Sequence, residues 1–214
     1  MASIVEICNM ALASIRAKSI NSLTEASIEA QQCKLHYDIA RQFILQDTPW
    51  NFAKKSAALQ LMTVEPQEWL YAYQYPIDCL RVQSVIADYG LKNPAEFYNE
   101  HYREDYVIPD TEMKFEIVSG GDGKMIVTDQ QDAYAIYTKN VKDPTLFDPQ
   151  FVKALTHYLA SMIAVPVMGG DIGRTMRGDE LELYKMTISS AVASNMNESR
   201  RPAPRYSRLI DVRK

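Results

Sequence analysis

A chain of 214 residues, 47% of them hydrophobic, can bury a sizeable core, which excludes a disordered or fibrous protein and favours one domain, with or without an elaboration. Its longest apolar stretch, residues 159–168, is interrupted by Ser161 and Pro166 and falls short of the roughly 20 residues that span a bilayer, and Met1-Ala2-Ser3-Ile4-Val5-Glu6 has no secretory-leader pattern. The net charge of −4 conceals an asymmetry: residues 198–214 hold six basic side chains against two acids, a net +4 that leaves −8 on the remainder.

Ser3-Ile4-Val5-Glu6 is a capping box, and behind it Ile4, Ile7, Cys8, Ala11, Leu12 and Ile15 recur at helical spacing. This predicts an amphipathic helix over residues 3–17. After a polar connection anchored by Ile20 and Leu23, Ala26, Ala30, Cys33, Tyr37, Ala40 and Ile44 predict a second, longer helix, closed near Asp47 by Thr48-Pro49. From residue 50 the aromatic residues thicken, and prolines at 66, 76, 94 and 109 leave room only for short strands and turns. Residues 113–118 and 124–128 flank Ser119-Gly120-Gly121-Asp122-Gly123, the signature of a β-hairpin, and residues 133–138 form a further strand. Asp148-Pro149 starts a third helix with an apolar face of Phe151, Val152, Leu155, Tyr158, Leu159, Met162 and Ile163, ended by Pro166 and Gly169-Gly170. A fourth helix runs from Asp171 to about Asn195, with Leu181, Tyr184, Ile188, Val192 and Met196 as its stripe. The two prolines of Ser199-Arg200-Arg201-Pro202-Ala203-Pro204-Arg205 predict an extended end. The expected architecture is mainly α with a β-rich insert: a four-helix bundle from residues 1–48 and 148–197, a hairpin and loop extension from 49–147, and a C-terminal arm over 198–214.

No catalytic constellation stands out against its plainer reading. His36 and His157 sit mid-helix, where a hydrogen-bonded or half-exposed imidazole is the common case. Glu100-His101-Tyr102-Arg103-Glu104-Asp105 gathers acids and a histidine but lacks the spacing that puts several metal ligands on one face, so a solvated charged turn is the better reading. Ser119 to Lys124 lack the Walker spacing of a phosphate loop. Cys8, Cys33 and Cys79 are too scattered for a disulfide framework or a zinc site. No catalytic residue, metal or cofactor is assigned. Trp69-Leu70-Tyr71-Ala72-Tyr73-Gln74-Tyr75 has no interleaved cations for stacking nucleic-acid bases, which favours packing or a subunit contact.

Several short blocks, in order and spacing, resemble the head-to-tail adaptor proteins of bacteriophages, also called tail tubular protein A in short-tailed phages. They are Ile7-Cys8-Asn9-Met10-Ala11-Leu12, Ile20-Asn21-Ser22-Leu23-Thr24-Glu25, Glu29-Ala30 with Cys33, Tyr37-Asp38, Ala40-Arg41, Pro49-Trp50-Asn51-Phe52-Ala53, and Tyr73-Gln74-Tyr75-Pro76-Ile77-Asp78-Cys79-Leu80-Arg81. The resemblance implies a virion protein, assembled in the host cytoplasm, that forms a ring, commonly of twelve copies, under the portal protein. Such a ring joins the DNA-filled head to the next tail or nozzle protein and forms part of the DNA channel without reading sequence. It also implies a portal-docking arm, here Arg200, Arg201, Arg205, Tyr206, Arg208, Leu209 and Ile210, with no membrane partner. Two other readings stay open: a virion-associated cell-wall hydrolase using Glu100 and Asp105, and a nucleic-acid-binding module acting through the basic tail.

Overall fold

The helices begin and end where local chemistry dictates. In the computed structural model, which describes residues 3–64, 66, 68–87, 112–121 and 123–198, the capping box of α1 (Ile4–Ser14) is formed in both directions. The Glu6 N–H donates to Ser3 Oγ at 3.2 Å and the Ser3 N–H donates to the Glu6 carboxylate at 2.6 Å. At the other end Arg16 takes a left-handed φ of 58°, the Arg16 N–H donates to the Ala13 carbonyl and the Ala17 N–H donates to Leu12. These bonds close the helix in the way a glycine usually does, three residues earlier than expected.

In α2 (Ile28–Asp47) the Ser27 hydroxyl caps the Ala30 N–H, and Thr48 leaves helical geometry before Pro49. Asp148 caps α3 (Pro149–Met168) by accepting from the Gln150 N–H at 2.7 Å. Pro166 lies inside α3 instead of ending it, and the turn falls to Gly169 and Gly170 at φ values of 69° and 48°. The chain then folds straight back as α4 (Gly170–Glu198). The return is so close that a Cβ on Gly173 would lie 2.8 Å from the Ala164 carbonyl oxygen.

Among the described residues, the middle of the chain folds into two antiparallel sheets. One holds β1 (Lys54–Ala58), β7 (Ala133–Lys139), β3 (Cys79–Ala87) and β4 (Glu112–Met113) in that order; the other holds β2 (Tyr71–Gln74), β6 (Gly123–Thr128) and β5 (Phe115–Gly120). The expected hairpin is β5–β6, closed where Gly120 pairs with Gly123, whose φ of 113° only glycine adopts readily. Tyr73, Val82, Val85, Ile126, Ala133, Ala135 and Tyr137 form a core of their own between the sheets.

This overturns the expected four-helix bundle with a hairpin extension. The β portion is a substantial half of an α+β fold, and the helices do not form a simple bundle. α3 is the hub on which α1, α2 and α4 each pack, while α1 and α2 touch each other only slightly. The error has a physical source. β1 pairs with β7 in the register Lys54–Thr138 to Ala58–Tyr134, across a separation that no local periodicity reveals. Burial also falls differently on α4: its inner face carries Gly173, Glu180, Tyr184, Thr187 and Ala191, whereas Leu181, Ile188 and Val192 are half-buried.

α3, a 20-residue helix with a mean hydropathy of 1.4, is long and apolar enough to cross a membrane, as the buried core helix of a folded domain also can be. In the fold it is the central core helix, with Phe151, Ala154, Leu155, Leu159, Ala160 and Ile163 fully enclosed by its neighbours.

Candidate functional site

The blocks quoted above supply the α1–α2 connection, the inner face of α2 and part of the joint between the helices and the sheets. The Asn9 side-chain amide bonds Ile20 in both directions, Nδ2 donating to its carbonyl and Oδ1 accepting from its N–H, each at 2.8 Å. That pins the α1–α2 connection to α1 and buries Ile20. Glu25 Oε1 accepts from the Asn21 and Ser22 N–H groups at 2.6 and 3.0 Å, so the connection is closed by its own side chains. Cys8 and Cys33 are fully buried, and the hydrogen bond they share, together with burial, holds the Cys8 thiol far above its ordinary range. Cys79 is half-buried, and burial is the chief cause that raises its thiol as well. Among the described residues no group of three or more His, Cys, Asp or Glu is placed to hold a metal ion.

Arg41 is the centre of the joint. It is 1% exposed, yet each of its three guanidinium nitrogens is hydrogen-bonded. Nη1 donates to Asn140 Oδ1 and to the Val141 carbonyl, both at 2.7 Å, while Nε and Nη2 reach Asp38 Oδ1 at 3.3 and 3.1 Å. A buried cation is tolerable only with its donors paired, and the planar fork of arginine reaches α2 and the chain beyond β7 at once. Trp50 is buried just past the end of α2, its indole N–H donating to the Ile44 carbonyl at 3.0 Å and its ring edge-on to Phe151, with centroids 5.1 Å apart. Phe52 and Phe147 complete this aromatic cluster. From β3, Arg81 Nη1 donates to the Gln46 carbonyl at 2.9 Å, satisfying one of the free acceptors at the end of α2.

On the sheet side of the joint, Asp78 accepts from Lys55 Nζ at 2.8 Å and from the Tyr137 hydroxyl at 2.7 Å. Burial pushes the Asp78 carboxyl up, but the Lys55 and Tyr137 bonds outweigh it and hold the group below its ordinary value. Tyr137 is raised, chiefly by burial, and Lys55 is raised, chiefly by the Asp78 bond. All three are driven away from neutral pH, opposite to the tuning a proton-transferring pair requires. Their chemistry is that of a clasp.

His157 is the hydrogen-bonded mid-helix histidine expected, and its partner, missed in the sequence, is Glu180 on α4: Nδ1 and Oε2 lie 2.8 Å apart with the side chains 15% and 7% exposed. A buried carboxylate on α4 looks like a surface residue until the opposing helix supplies its partner. Of the other sequence candidates, Glu100, His101 and Asp105 and the arm residues Arg200, Arg201, Arg205, Tyr206, Arg208, Leu209 and Ile210 lie outside the described residues.

The surface adds a feature the sequence reading passed over. Opposite its buried stripe, α2 turns Ile28, Leu35 and Ile39 outward at 59, 60 and 56% exposure, and Phe43 continues the row at the edge, its ring stacked on Tyr158 of α3 with centroids 4.8 Å apart. Gln31, Gln32, Gln42 and Gln46 lie among them, and the five charged residues of α2, Glu29, Lys34, Asp38, Arg41 and Asp47, lie off this face by helical spacing. The signal was present as a second apolar series at steps of four and seven. It was hidden because the first series already explained the helix.

No protein-family model matches the chain, and comparison with curated protein sequences gives no match.

Proposed function

We propose that this chain is a structural adaptor of the bacteriophage head-to-tail kind: one copy of a ring beneath the portal protein that joins the head to the next tail component and surrounds the path of the DNA. The observation that carries the reading is the coincidence of the resembling blocks with the joint. Asn9 pins the α1–α2 connection to α1, Arg41 and Arg81 tie α2 to the chain beside β7 and to β3, and Asp78 clasps β1 to β7, all from blocks scattered over more than 70 positions. An adaptor transmits force and position between two larger assemblies, which calls for a stiff joint of this kind. The outward apolar face of α2, and in the sequence the net +4 of residues 198–214, are features suited to partners. The ring would assemble in the host cytoplasm and function in the virion.

Electron microscopy of the purified protein mixed with the portal ring tests this. The expected outcome is an added ring of density on the portal, lost when residues 199–214 are removed while circular dichroism of the truncated protein stays unchanged. A portal that gains no density from the full chain overturns the adaptor. Full binding by the truncated chain overturns the arm.

A further inference from the structure

We draw no further inference here: the strongest candidate, the cleft of about 420 Å³ between the end of α1 and the first turns of α4, lined by Asp171, Asp179 and Glu180, is an acidic cluster whose buried carboxylate, Glu180, already bonds His157, and no second feature among the described residues there points to a ligand.

Discussion

The two sides of α2 follow opposite rules. Its inner side carries a charged residue, Arg41, sealed from water and paired with two neutral oxygens and a carboxylate. Its outer side carries Ile28, Leu35 and Ile39 turned toward water, with Phe43 at its edge stacked on Tyr158, and no charge. Folding alone favours the reverse placement on both counts, since burying a guanidinium costs desolvation and exposing isoleucine and leucine gains nothing. The difference separates what the helix does for this chain from what it offers another. The inner cation gives directional bonds that set the angle between helices and sheets, and the outer residues make sense as a contact.

The strongest way to break that comparison is Arg41→Ala. Loss of the guanidinium strands the Val141 carbonyl and the Asn140 amide oxygen in a buried site and leaves a cavity between α2 and the end of β7. We expect a destabilisation of about 2–4 kcal/mol, seen as a Tm lower by about 5–15 °C in thermal denaturation. Arg41→Lys should recover only part of it, because an ammonium cannot serve Asn140, Val141 and Asp38 with the same planar fork. A change below about 0.5 kcal/mol for Arg41→Ala would mean that the joint does not depend on its bonds.

Four helix ends were legible in the chain because they rest on neighbours in sequence, whereas α1 stopped short of the expected end and Pro166 did not end α3. Ser3 and Glu6, Thr48-Pro49, Asp148-Pro149 and Gly169-Gly170 each close a turn without help from elsewhere. The β5–β6 hairpin was legible for the same reason. What was hidden depends on distant partners. β1 needs β7, the clasp needs Lys55, Asp78 and Tyr137 together, and Glu180 needs His157 before burial makes sense. The joint was half visible: its residues were picked out by resemblance, yet nothing in their spacing said that Arg41 would meet Asn140 and Val141, about 100 positions away.

A milder test addresses the sheet side of the joint. Asp78 is held below its ordinary carboxyl value of 3.8, so its contribution is present above that pH and is lost as the pH falls through the lower, folded value. Lys55 is held above 10.5, so its contribution is complete below that pH and is lost as the pH rises through the higher, folded value. The clasp is therefore intact from about pH 4 to pH 10, as follows from the two directions. Asp78→Asn should lower Tm at pH 7 by at most about 3 °C, since the pair is partly solvated, and the gap from the parent protein should narrow as the pH falls below 3.8. A gap that is constant from pH 7 to pH 2.5 would show that the carboxylate charge plays no part.

The smallest expected effect sharpens the comparison most. Leu35 is 60% exposed on the outer face, and glutamine has nearly the same helix propensity and is already the polar residue of that face. Leu35→Gln should leave folding stability within about 0.5 kcal/mol of the parent, measured by urea denaturation with an unchanged m-value. A loss above about 2 kcal/mol would place Leu35 in the chain's own packing, and the outer face would no longer be free for a partner. An unchanged stability leaves the apolar face with no role in folding and a continuing cost in solubility, and covering it with another surface is what removes that cost.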